Sequence, residues 1–139
     1  MPPSPAKRSA VRAIDTNIVV RFLTGDHPAQ ARAARAAIAG GNITIPLTVW
    51  LESEWVLRSG YGFAPAQIAD GFAGLAGLPA ITVEEPLVLI MALDWMRDGM
   101  DFADALHLAK TQNCEALLTF DKGLIKAAKG RSGISVEAP

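Results

Sequence analysis

The sequence predicts an α/β fold with a mainly parallel sheet, and three observations carry that reading. Short runs of Ile, Val and Leu alternate with helical segments along the chain. Proline or a capping residue opens most of those helical segments, and glycine closes several. Strands separated by helices pair in parallel through crossovers. Right-handed crossovers place the strand C-termini on one edge, where open α/β sheets bind ligands.

The elements follow in order. Val11-Arg-Ala-Ile14 reads as a buried strand ending at Asp15. Thr16 and Asn17 are N-cap types, so a helix begins there, carries Val19, Val20, Phe22 and Leu23, and stops at Gly25. Pro28 opens an Ala/Arg-rich helix to Ala39, closed by Gly40-Gly41. Ile43–Ile45 is a strand, and Pro46 starts a helix ending near Gly60. Pro65 begins a helix to about Gly77, followed by a strand over Ala80–Val83. Glu84 and Glu85 stand at the positive end of a helix that runs to Asp98, a favourable place for carboxylates. Asp101 caps a helix from Phe102 to about Asn113. Ala116–Phe120 is a strand ending at Asp121, 122–129 a Lys-rich helix, and Ile134–Val136 an edge strand. Trp50 and Trp55 are expected in the core, and Cys114 as a buried small apolar residue.

Length and composition bound the function. The chain has 139 residues, 50% hydrophobic and 19% charged, which suits one globular domain. Its one cysteine excludes an internal disulfide and any Cys-based zinc site, and His27 and His107 are too far apart for a zinc motif. The most apolar stretch, Pro86–Leu93, falls well short of the ~20 residues a spanning helix needs. The N-terminal residues lack the apolar segment of a secretory signal. A cytoplasmic protein with no membrane association is expected, with a flexible tail over 1–10 and a single domain over 11–139. Net charge is −1 but unevenly placed: residues 36–109 hold only Arg58 and Arg97 as cations against nine acids. That segregation describes either ordinary solvated surface or a basic rim around an acidic centre.

The candidate chemistry lies in the acids Asp15, Glu52, Glu54, Asp101, Asp104 and Asp121. Asp15 and Asp121 follow directly after strands; each reads either as turn or cap chemistry or as a ligand. Asp101 and Asp104, at i and i+3, share a helix face, with Asp101 expected mainly as a cap. His107 stands three residues after Asp104, within reach of a hydrogen bond to it. Glu52 and Glu54 point about 200° apart on a helix, so one of them at most faces a shared site. Glu54 has Arg58 at i+4 as a natural partner. Clustered carboxylates repel one another, a divalent cation relieves that repulsion, and oxygen-only donors select Mg²⁺ or Mn²⁺.

Four motifs in order then resemble one family. Ile14-Asp-Thr-Asn-Ile18, Pro46–Glu52 with Trp55-Val-Leu57, Asp101–Ala109, and Leu118-Thr-Phe-Asp121 together resemble PIN-domain nucleases, with a closer likeness to VapC-type toxins of toxin–antitoxin pairs. The likeness spans about residues 11–136. It implies a three-layer α/β/α sandwich and a ribonuclease hydrolysing phosphodiester bonds through metal-activated water. The implied acids are Asp15, Glu52, Asp104 and Asp121, holding Mg²⁺ with Mn²⁺ as substitute. Thr16, Asn17 and Thr119 match supporting polar positions, and Asp101 and Glu54 are extra acids that compete for the third and second places. The implied partners are an RNA substrate, a cognate antitoxin and a second copy of the chain in a homodimer. The competing readings are a non-catalytic PIN-like module that binds RNA or protein, and a Mg²⁺-dependent phosphatase or phosphotransferase with Asp15 as nucleophile. The latter class usually carries an acid where this chain has Asn17.

Overall fold

The computed structural model describes residues 10–139, so the tail expected over 1–10 lies, apart from Ala10, outside the described residues. The elements are β1 (Arg12–Ala13), α1 (Thr16–Thr24), α2 (Pro28–Ala39), β2 (Ile43–Ile45), α3 (Leu47–Trp55) continued by a π-helical turn (Val56–Gly60), α4 (Pro65–Ala76), β3 (Ile81–Val83), α5 (Pro86–Arg97), α6 (Phe102–Lys110), β4 (Ala116–Leu118), α7 (Lys122–Ala128) and β5 (Ser135–Glu137). The α/β architecture is the predicted one, with every strand pair parallel and joined through helices.

Pairing among the described strands falls into two parts. β2 is central, with β1 on one side (Arg12 opposite Ile43) and β3 on the other (Ile43 opposite Ile81). β4 and β5 form a separate parallel pair, Leu117 opposite Val136. β1 is shorter and more exposed than its apolar run suggests. Only Ile14 is buried, while the Arg12 guanidinium donates to Ala37 O (3.1 Å) in the last turn of α2.

Local signals fix the helix ends. The cap of α1 is Asp15, one residue earlier than expected, whose carboxylate accepts the Ile18 N–H. Gly25 closes that helix at φ 66°, a left-handed conformation that costs glycine little. α2 has Pro28 in its first turn and His27 Nδ1 accepting the Gln30 N–H. α3 is entered from Pro46, which has no capping side chain, and Glu84 fills the gap by accepting the Leu47 N–H at 2.9 Å. Glu84 therefore serves the start of α3 rather than its own helix, and Glu85 pairs with Lys110. α6 ends at Lys110, earlier than predicted, because the chain breaks into turns over 111–113.

The core is built around Trp50, Phe72 and Phe102, all essentially solvent-free. Phe72 meets Trp50 edge-on at 5.0 Å and Phe102 at 5.9 Å, tying α4 to α3 and α6. Val19, Ile43, Ile45, Leu89 and Leu108 complete the same cluster. Two expected core residues lie outside it. Trp55 is 59% exposed, and Cys114 is exposed.

Candidate active site

Asp15 and Asp121 sit where strands hand over to helices, Glu52 and Glu54 lie within α3, and Asp101 and Asp104 lie at the start of α6. They fall into two groups. The first joins α1 to α3. Asp15 follows the buried Ile14 and stands exposed at the α1 N-terminus. Thr16 is buried, and its hydroxyl donates a short hydrogen bond to Glu52 Oε1, across 36 positions of sequence. That bond orients the Glu52 carboxylate beside the Asp15 turn. Asn17 is exposed on the neighbouring surface, where it lines a shallow hollow with Asp15 and Arg21.

The two acids of α3 separate as helical geometry requires. Glu52 is exposed on one side, whereas Glu54 is buried and bonded to Arg58 Nε at 2.8 Å. The structure thus gives Glu54 its own i+4 partner, as its spacing predicts.

The second group gathers Asp101, Asp104 and Asp121. Asp101 accepts the Asp104 N–H (3.1 Å) as N-cap of α6. Asp121 caps α7 by accepting the Leu124 N–H (3.1 Å), and its own N–H donates to Thr119 Oγ1 (3.0 Å). Thr119 thereby shapes the turn that presents Asp121. Burial pushes the Asp104 carboxyl above its ordinary range; the charges of Asp101 and Asp121 push it further, and His107 opposes them. Asp104 is half-buried, and it is the acid on which the neighbouring carboxylates act.

α3, which carries Glu52, packs on α6, which carries Asp104. A surface hollow there is lined by Glu52, Glu54, Trp55 and Arg58, with Ala103 from α6 on the opposite wall. The Asp101 charge also reaches Arg58. Arg58 was not among the residues singled out for chemistry, yet its rarity as a cation within 36–109 marks it in the sequence. Among the described residues, no three His, Cys, Asp or Glu side chains are gathered closely enough to hold a metal ion. The four acids implied by resemblance therefore do not form one closed cluster.

A family model described as the PIN domain matches residues 13–130. The chain belongs to the PIN-domain family. PIN domains are typically nucleases that bind nucleic acid and generally use divalent metal ions. No curated protein and no solved structure matches the chain. No helix among the described residues of this PIN domain is long and apolar enough to cross a membrane. The acids of this PIN domain suit a hard divalent ion in chemistry. All are oxygen donors, the class that hard divalent ions prefer.

Proposed function

We propose that this PIN domain is a Mg²⁺- or Mn²⁺-dependent ribonuclease, the VapC-type toxin of a toxin–antitoxin pair. Asp15, Glu52, Asp104 and Asp121 are the acids that hold the ion, with Thr16, Asn17, Asp101 and Thr119 in support. The observation that carries this reading is the PIN-domain match over residues 13–130, supported by the Thr16 bond to Glu52 and by the caps that set Asp15 and Asp121 at helix starts.

A bound divalent cation lowers the pKa of water and screens the charge that builds on a phosphodiester under attack. The protein's own part is to orient the acids. Thr16 fixes one Glu52 oxygen and leaves the other as a donor. Caps at the starts of α1, α6 and α7 hold Asp15, Asp101 and Asp121 against rigid helices. In-line attack by water leaves a 5′-phosphate and a 3′-hydroxyl. The same acidic surface suits an Arg or Lys from an antitoxin, and a homodimer is the expected assembly.

The test is cleavage of single-stranded RNA by purified protein. Cutting is expected with Mg²⁺ or Mn²⁺ and none with EDTA. Asp15→Asn keeps the α1 cap, since Asn caps nearly as well as Asp, but removes a ligand charge, and loses most activity. Full cleavage in EDTA, or by Asp15→Asn, overturns the mechanism. RNA binding without cleavage under any metal leaves a binding module instead.

A further inference from the structure

We propose that Arg58 is a positioning residue for the acids at the start of α6: anchored on the buried Glu54 carboxylate of α3, its guanidinium fixes Asp101, and through Asp101 the first turn that carries Asp104. The proposal rests on the metal-dependent reading above and adds a residue to it.

Burying a carboxylate is a poor route to stability. Desolvation consumes most of the attraction within a buried ion pair, and apolar residues of similar volume in its place are often neutral or stabilising. Glu54 is nevertheless 4% exposed, with the buried Trp50 and Leu57 four residues before and three after it. What the pair supplies is direction. Arg58 Nε lies 2.8 Å from one Glu54 oxygen and Nη2 lies 3.4 Å from the other, a two-point contact that sets the plane of the guanidinium.

The fixed guanidinium stands beside α6. Arg58 and Ala103 line one hollow, and Ala103 lies between Asp101 and Asp104 in the first turn of that helix. Phe102 locks the same turn into the core, edge-on to Phe72. The Asp101 charge reaches Arg58, and the Asp101 carboxylate accepts the Asp104 N–H at 3.1 Å. An exposed cap carboxylate held by one hydrogen bond turns freely, and a fixed positive charge nearby favours one orientation. The line of influence therefore runs from Glu54 through Arg58 and Asp101 to the backbone of Asp104.

Charge and position make opposite predictions. A cation beside acids that hold Mn²⁺ repels the metal, so removing it tightens binding if charge alone matters. Removing a group that orients metal ligands weakens binding, by roughly 10–100-fold in known sites. The Glu54→Gln/Arg58→Met double variant takes away one charge of each sign and so isolates position. Mn²⁺ titrated into purified protein, followed by electron paramagnetic resonance, should bind about tenfold more weakly in the double variant. Arg58→Lys keeps the charge without the fork and should lie between the double variant and wild type. Arg97→Met breaks the pair with the exposed Asp70 and should bind like wild type. In EDTA, exchange of the Asp104 amide, read by NMR, should speed up by as much as about fivefold in the double variant, the limit set by losing the cap outright. Circular dichroism checks that each variant is folded at the assay temperature. Equal or tighter Mn²⁺ binding in the folded double variant, or unchanged Asp104 exchange, overturns the proposal. So does Arg58→Lys that matches wild type, which assigns the loss to Glu54 itself, or an equal loss in Arg97→Met, which makes the effect one of stability. A wild type that binds no Mn²⁺ rejects the metal-dependent reading, while faster Asp104 exchange in the double variant still upholds the positioning role.

Discussion

Arg58→Gln should destabilise this protein several times more than an ordinary surface ion pair predicts. Glu54 lies among apolar neighbours with its side chain 5% exposed, and Arg58 holds it through two nitrogens. Removing the partner of a fully buried carboxylate costs roughly 3–5 kcal/mol, whereas an exposed i, i+4 pair contributes about 0.3–0.5 kcal/mol. The pair is buried at one end and 44% exposed at the other, so the cost falls between these limits, about 2 kcal/mol. At this chain length that lowers Tm by roughly 7 °C. Glu54→Gln removes the buried charge while an amide oxygen still accepts from Arg58, so its cost is about 1 kcal/mol. The double variant leaves neither charge and should resemble Glu54→Gln alone. Urea denaturation of the four proteins in EDTA at pH 7 closes the cycle, with a coupling of about 2 kcal/mol expected. A coupling within a few tenths of zero, with both single variants near wild type, refutes the argument. Glu54 would then be indifferent to its partner.

Two further outcomes follow from the same geometry. Glu84→Ala removes the acceptor for the Leu47 N–H at a helix start that has no other capping side chain, so it should cost about 1 kcal/mol in thermal unfolding, with Glu84→Gln milder. Asp104 in the metal-free protein holds its proton more tightly folded than unfolded, because burial and then Asp101 and Asp121 raise its carboxyl above 3.8. Its contribution to stability is therefore greatest at low pH and declines as pH rises from 3.8 through the raised folded value. Asp104→Asn should gain stability relative to wild type across that window and stay ahead above it, while losing cleavage; Asp101→Asn, which still caps α6, should remain active. A urea midpoint difference that is flat with pH would contradict the assignment.

The parts legible in the sequence are those set within a turn or two of chain. Pro28, Pro65 and Pro86 mark three helix starts because proline lacks only a donor that the first turn leaves unused. Gly25 marks an end because its φ of 66° suits glycine. The Asp101 cap and the Glu54–Arg58 pair are read from spacing, since helical residues three or four apart must face the same way. Periodicity names a face but not what covers it, and so Trp55 and Cys114 look buried in the sequence and are exposed in the fold. The Thr16–Glu52 bond, the Glu84 carboxylate at the start of α3 and the separation of β4–β5 from the other strands span 36, 37 and more positions. Chain-local preferences are indifferent to partners that distant; packing of α3 against α1 brings the Thr16 hydroxyl onto Glu52, and packing of α3 against α6 sets Ala103 at the hollow that Glu52 lines.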